Sequence, residues 1–210
     1  MIAKSESPIV TQGDISPAWV EDAQRAGIVG CDIETTGLDW RVDRIETFQI
    51  AIEDRIAVVK LDGSTVPEHV CQLISDPDVR KVFHHAPFDL RFMSSAWAVV
   101  ANNVACTKIA AKIVSPAGDA RAYSLKPVLR KYLGVDIDKE QQLSDWSLDA
   151  LTDAQVAYAA DDVRHLVKLL GVLEGVAEER GVATLVRSAF GFLPSRVALD
   201  LMGAGDVYEY

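Results

Sequence analysis

Four carboxylates and one phenol are spaced so that they could act together. Asp32 and Glu34 end the apolar run Ile28-Val29-Gly30-Cys31, with one residue between them. Strand side chains alternate, so both acids point to one face, with Cα atoms about 7 Å apart, and Ile33 points to the other. Two like charges on one face repel unless a cation lies between them. Taken alone, Asp-x-Glu also suits a solvated strand end. Acids usually avoid core strands, however, and the flanking residues read as core. Asp89 follows Phe88 where a helix opens, a place where the helix dipole favours an acid. His84 and His85 precede it; in a strand, one would point to each face. Tyr158 and Asp162 are four apart in a helical stretch, which makes them neighbours on one face. Val156, Ala159, Val163, Leu166 and Leu170 form the core stripe of that stretch. Tyr158, Asp162 and His165 lie off the stripe, and Asp161 projects further round toward solvent.

If Asp32, Glu34, Asp89 and Asp162 meet at one point, they offer only hard oxygen ligands. Such a set suits Mg²⁺ or Mn²⁺ rather than zinc. Two such ions about 3.5–4 Å apart clamp the attacking and leaving oxygens of a phosphoryl displacement. A pair of carboxylates can also hydrolyse glycosides without metal, but that chemistry has no use for four acids and a tyrosine. Cys31, Cys71 and Cys106 form no Cys-x-x-Cys pair and no zinc pattern. They read as buried reduced thiols.

The elements that must position these groups follow from periodicity. Ile28–Ile33 reads as a buried strand ended by Thr-Thr-Gly. Residues 45–60 hold two β-rich runs joined through Glu53-Asp54, which predicts a hairpin. Residues 17–26 carry weak helical spacing, and residues 66–75 stronger spacing. KVFHHAPFDLRFM reads as a short strand, a turn at Ala86-Pro87 and a helix from about Phe88. Residues 104–114 read as a strand end and then a helix. Ser124 and Gly134 bound a further helix, with Pro127 tolerated in its first turn. One long helix is expected from about Thr152 to Gly181, and one amphipathic piece over about 183–202. Strands cluster early and helices late, which indicates one mixed sheet surrounded by helices, α/β or α+β.

The chain has 210 residues, of which 49% are hydrophobic and 25% charged, as in an ordinary globular protein. Residues 1–26 read as a polar N-terminal extension, 27–182 as the main domain and 183–210 as a helical tail packing on the domain or in a subunit interface. No apolar run approaches a membrane-spanning length and no signal-peptide core is visible, so a cytoplasmic protein without a membrane partner is expected. The formal net charge of −10 argues against a large phosphate-tracking surface. Bound cations can still carry phosphate contacts locally.

In this order, DIETTGL, HHAPFD and YAADD resemble the three motifs of the DEDD superfamily of 3'-5' exonucleases. The Tyr-x-x-x-Asp form of the third, Tyr158 and Asp162, resembles the DEDDy subfamily, which includes ribonuclease D and the proofreading domains of family A DNA polymerases. The resemblance covers about residues 27–170. SLKPVLRKYLGVDIDKEQQLSDWSLDALTDAQVAYAADDV is similar to the ribonuclease D-like branch. CTKIAAKIV and AFGFLPSRVALDLMG are similar to its short stand-alone members of the nano-RNase C type. DIETTGLDWRVDRIETFQIA resembles the polymerase-type exonucleases as much.

The resemblance implies a ribonuclease H-like fold, a mixed sheet flanked by helices. It implies that Asp32, Glu34 and Asp162 bind a first divalent cation, Mg²⁺ or Mn²⁺. Asp32 would bridge to a second, which Asp89 would hold through water, and Tyr158 would orient the attacking water. Thr35 and nearby backbone would hold the terminal 3'-OH, Leu38 would wedge against the last base, and His85 would take the position before Asp89 that relatives fill with Asn or His. Lys139 and Gln142, with Trp146, lie in the DKEQQLSDW segment. Lys139 reads as a phosphate contact or a solvated lysine, and Trp146 as a packing residue.

The expected function is release of nucleoside 5'-monophosphates from single-stranded ends, with short RNA as the favoured partner and a homo-oligomer as a possible assembly. The nearest alternative is a stand-alone DNA exonuclease of proofreading type. A catalytically silent nucleic-acid-binding module is a remote one.

Overall fold

The run that ends in the two acids is a central strand of a six-stranded sheet. In the computed structural model, which describes residues 7–116 and 119–209, β2 (Ile28–Thr35) lies between two partners. These are antiparallel β3 (Ile45–Ile52) and parallel β5 (Arg80–Phe83). β4 (Arg55–Lys60) pairs with β3, and β6 (Val104–Cys106) extends the parallel side beyond β5. β1 (Ile9–Gln12) joins β4 in parallel, which gives the order β1-β4-β3-β2-β5-β6. The expected hairpin is β3–β4. It closes through Glu53 and Asp54, with Glu53 in the left-handed region at φ 53°.

Helices flank this mixed sheet, so the class is α/β with the expected ribonuclease H-like layout. α1 (Pro17–Ala26) buries Trp19, Val20 and Ala23 and contacts β2 and β3. The stretch read as an N-terminal extension thus supplies an edge strand and a packed helix; its residues 1–6 lie outside the described residues. α2 (Glu68–Ser75) packs against α1. α3 (Ala86–Trp97) begins earlier than the sequence suggested. Ala86-Pro87 is not a separate turn but the first turn of the helix, where a missing N–H costs no intrahelical bond. α4 (Thr107–Val114) and α5 (Leu125–Leu133) follow, and α5 stops at Gly134 in the left-handed region at φ 68°, as its sequence predicts.

The stretch from Thr152 to Gly181 is two helices rather than one. α6 (Asp153–Arg164) and α7 (Leu166–Glu179) meet at His165, at φ −108° and ψ 0°. α6 crosses β2, β3 and β4, whereas α7 lies over β2 and β5. A bend lets the chain follow a sheet whose strands rotate against one another. The tail is also two helices, α8 (Ala183–Gly191) and α9 (Leu193–Met202), with Pro194 in the first turn of α9. α8 packs on α4 and α7, and α9 on α3. Tyr210, at the end of the tail, lies outside the described residues.

Gly30 sets the spacing that matters most. A Cβ at this position would lie 2.8 Å from the carbonyl oxygen of Val163. The bare glycine lets α6 rest directly on β2, which brings Asp162 over the strand that carries Asp32. The three cysteines are free thiols; Cys31 and Cys106 are buried and Cys71 is half-buried. Among the described residues, no helix is long and apolar enough to cross a membrane.

Candidate active site

Asp32 and Glu34 share one face of β2, and Asp162 meets them from α6. Each offers a carboxylate oxygen, and the three oxygens lie within 4.8 Å of one another. Asp89 arrives from the first turn of α3, is buried, and shares a hydrogen bond with Asp32. Tyr158 stands one helical turn before Asp162 and hydrogen-bonds to it. The five residues singled out from spacing are therefore together. A helix whose Thr152 and Gln155 form a reciprocal capping box holds two of them.

Burial raises the pKa of every acid in the group. Asp32 is pushed well above the usual carboxylate range by burial and then by the charges of Asp89, Asp162 and Glu34. Glu34 is pushed up to about 9 by burial and by Asp162. Asp89 is pushed up to about 8 by burial, although hydrogen bonds from its own backbone, from Ile33 and from Asp32 pull the other way. Asp162 is raised by burial against the opposing ammonium of Lys139, which pairs with it. A crowded set of buried and half-buried oxygen donors that resists ionisation by itself fits hard divalent cations, whose charge offsets the mutual repulsion.

This arrangement fixes a pH dependence. Without a cation, the folded site keeps protons that the unfolded chain releases above about pH 4. The native state then binds more protons, so stability falls as pH rises, by about 1.4 kcal/mol per pH unit for each excess proton. The window runs from the ordinary carboxylate range up to the raised values of Asp89 and Glu34, about 8 and about 9. Chelator-treated protein should lose melting temperature steadily across that window. Saturating Mg²⁺ should flatten the slope, and Glu34→Gln should remove part of it. The same slope with and without Mg²⁺ would show that the acids do not meet a cation.

The acids line a cleft of about 820 Å³. Leu38 stands at its edge, 84% exposed, as does Leu143, 97% exposed. The Thr35 hydroxyl faces the cleft but donates to the Gly37 carbonyl at 2.6 Å. His85 occupies the N-cap position of α3 and stacks on Phe88, with centroids 6.3 Å apart and planes at 9°. His84 has a different role. Its ring is buried between the Thr107 hydroxyl at 2.8 Å and the Tyr123 carbonyl at 2.9 Å, and burial pushes its pKa down to about 3. It is a neutral packing group that ties β5 to α4.

Lys139 is neither fully solvated nor remote. Its Nζ pairs with Asp162 and lies 3.2 Å from the Tyr158 hydroxyl. Gln142 lines the same wall, in the helical turn Glu140–Leu143. Trp146 packs as expected, its ring 5.8 Å from that of Tyr158 and tilted by 45°. Sequence reasoning missed Lys108 and Lys126, which also line the cleft. Each sits in an amphipathic helix at a position that periodicity marks only as not core.

Three comparisons bear on this site. A family model described as 3'-5' exonuclease matches residues 8–177. Ribonuclease D of Gluconacetobacter diazotrophicus is 31% identical over 186 residues, 88% of this chain and 46% of that one. DNA polymerase I of Aquifex aeolicus is 32% identical over 154 residues, 71% of this chain and 25% of that one. The chain spans less than half the length of the curated ribonuclease D relatives, 43% and 46% of two of them. Among solved structures, Brucella melitensis NrnC bound to pGG is 33% identical with a TM-score of 0.90, covering 98% of this chain and 100% of that one. The same protein with bound Mg²⁺ gives 32% and 0.89, with 98% and 100% coverage. A match over most of the chain, joined to converging acids in the expected motif order, makes the chain a member of the 3'-5' exonuclease family, of the ribonuclease D and NrnC type.

Proposed function

We propose that this chain hydrolyses the terminal phosphodiester of single-stranded nucleic acid from the 3' end, releasing nucleoside 5'-monophosphates. Two divalent cations, Mg²⁺ or Mn²⁺, serve as cofactors, and short RNA is the favoured substrate. The observation that carries this reading is the meeting of half-buried Asp32 and Glu34 with buried Asp162, with Asp89 hydrogen-bonded behind them. Asp32, Glu34 and Asp162 would hold one cation, and Asp32 with Asp89 would face the second. When bound, such ions neutralise charge on the phosphate and lower the pKa of water.

The chain's own residues do the rest. The Tyr158 phenol is pushed up out of its ordinary range by burial and by Asp162, so it stays protonated and orients water rather than acting as a base. Water attacks phosphorus on the side away from the 3'-oxygen, the P–O3' bond breaks, and the leaving oxygen takes up a proton. Lys139 faces this centre with a positive charge. Leu38 wedges against the last base, Thr35 and its neighbouring backbone meet the 3'-OH, and His85 and Gln142 line the approach. Residues 27–182 carry the catalytic part of the exonuclease domain, to which residues 9–26 add an edge strand and a packed helix.

A substrate of few phosphates suits a chain with a net charge of −10 whose cleft, among the described residues, presents Lys108, Lys126 and Lys139 as its lysines. The similarity to a protein solved with pGG points the same way. Phe190, Leu193 and Val197 of the tail are buried against the chain's own domain. A homo-oligomer would then use residues that stay exposed, such as Leu185 and Met202. The likeness to a DNA polymerase I sustains the second reading, a DNA exonuclease of proofreading type.

One experiment separates the two: purified protein given labelled RNA dinucleotide, longer RNA and longer DNA, with Mg²⁺, Mn²⁺ or EDTA, and light scattering on the same sample. The expected result is no turnover in EDTA, recovery with Mg²⁺ or Mn²⁺, and fastest release of monophosphate from the shortest RNA, with a shallow salt dependence. A monomer that degrades long DNA as fast as dinucleotide supports the proofreading reading.

A further inference from the structure

A buried ion pair lies behind the candidate site, and nothing in the hydrolytic chemistry above uses it. Glu46 of β3 and Lys60 of β4 are each 6% exposed at the side chain and meet at 2.8 Å. Taking two charges out of water is costly, and such a pair is weak evidence for stability by itself. The sheet goes out of its way to make it. β2 and β3 pair regularly up to Glu34↔Thr47 and then shift to Thr35↔Ile45, which leaves Glu46 as the extra residue of a bulge. Bulges of this kind re-aim a side chain and are common beside active sites. The row it interrupts is functional: Thr47 faces Glu34 on one side and Lys60 on the other.

The ammonium has a second partner. Lys60 Nζ donates to the Trp146 carbonyl at 2.8 Å, across 86 residues of chain. Trp146 packs its ring on Tyr158, with Val58 and Ala159 completing a small separate apolar cluster. The indole N–H of Trp146 is buried and has no partner among the described residues. Its ring is therefore not held by its own polar atom; packing and the hydrogen bond to its backbone hold it. Gln155 secures the same segment by donating to the Asp145 carbonyl at 2.9 Å and the Ser144 hydroxyl at 3.1 Å. The path Glu46–Lys60–Trp146–Tyr158 runs from the sheet to the phenol in direct contacts.

We propose that Glu46, Lys60 and Trp146 are positioning residues, a strut that sets the Tyr158 hydroxyl against Asp162. The inference rests on the reading of Tyr158 as the group that orients water. An active site tolerates little misplacement, and about 1 Å can cost about 10²-fold in rate. A buried charge pair supplies a rigid and directional brace, which an apolar contact at the same place would not.

The test is the double variant Glu46→Gln/Lys60→Met, which removes the pair without stranding a buried charge, since the Arg44 guanidinium that also meets Glu46 at 3.2 Å is exposed, compared with Lys60→Arg, which keeps the charge and the donors. Both are labelled with 5-fluorotryptophan, and Trp146→Phe assigns the Trp146 resonance. In the double variant kcat should fall by about 10²-fold with KM within about twofold, the Trp146 resonance should shift or broaden, and Lys60→Arg should recover most of both. Placed in Tyr158→Phe, the double variant should cost nothing further, since the hydroxyl it positions is gone. Full kcat with an unmoved Trp146 resonance overturns the proposal, and so do losses that add in the Tyr158→Phe background. If the double variant does not fold, Trp146→Phe with the Tyr158→Phe cycle carries the same comparison. Should Tyr158→Phe itself keep full activity, the reading of Tyr158 fails, whereas the fluorine resonance still reports whether the pair holds Trp146.

Discussion

Asp32→Asn should cripple turnover while leaving the metal-free protein at least as stable as its parent. The amide keeps the shape of the carboxylate and removes the charge that Asp89, Asp162 and Glu34 all crowd. If Asp32 bridges two cations, its loss removes a ligand from both at once. Metal-ion catalysis supplies several kcal/mol of transition-state stabilisation, and each 1.36 kcal/mol is tenfold in rate, so a fall of about 10³–10⁴-fold is expected. The stability effect has the opposite sign. With one buried acid fewer, the repulsion and the proton uptake that burden the folded site both decrease, and the melting temperature in chelator should stay level or rise. Mg²⁺ should then stabilise the variant less than the parent. A variant that keeps half its rate, or that unfolds in chelator while the parent does not, would assign Asp32 to structure instead.

The chemistry of this site was legible before its architecture. Asp32 and Glu34 are separated by the strand period and Tyr158 and Asp162 by the helix period, so local geometry alone placed each pair on one face. The order of motifs then joined the pairs, and the structure places Asp89 among them. What escaped notice depends on contacts distant in sequence. Nothing in Lys60 or Glu46 distinguishes them from strand residues at a solvated edge until the bulge and Trp146 bury them. Lys108 and Lys126 sit on helix faces that periodicity marks as polar, and only the tertiary fold turns those faces to the cleft. The break at His165 was hidden because the apolar spacing runs on through it; it shows only in the different strands that α6 and α7 contact. Gly30 shows the reverse case: a glycine in a core strand reads as a weak point, and it proves to be a place where the α6 backbone leaves no room for a Cβ.

Tyr158→Phe isolates a single hydroxyl. The ring keeps its place against Trp146, and Asp162 keeps its pairing with Lys139. What disappears is one hydrogen bond to Asp162 and the acceptor that Lys139 Nζ reaches at 3.2 Å. The folded state should therefore lose no more than the about 1–3 kcal/mol typical of two hydrogen bonds. Turnover should respond far more strongly. A group that places the attacking water contributes about 10²–10⁴-fold, and it acts in the transition state, so kcat should fall with KM nearly unchanged. The pH profile adds a second criterion. Because burial and the neighbouring acids push the phenol up, it does not ionise in the working range, and the parent's rate should show no inflection that the variant lacks. An inflection lost together with the hydroxyl would mean that Tyr158 gives up its proton during the reaction and acts as a base. An unchanged rate would reduce it to the partner of Trp146 in the wall of the cleft.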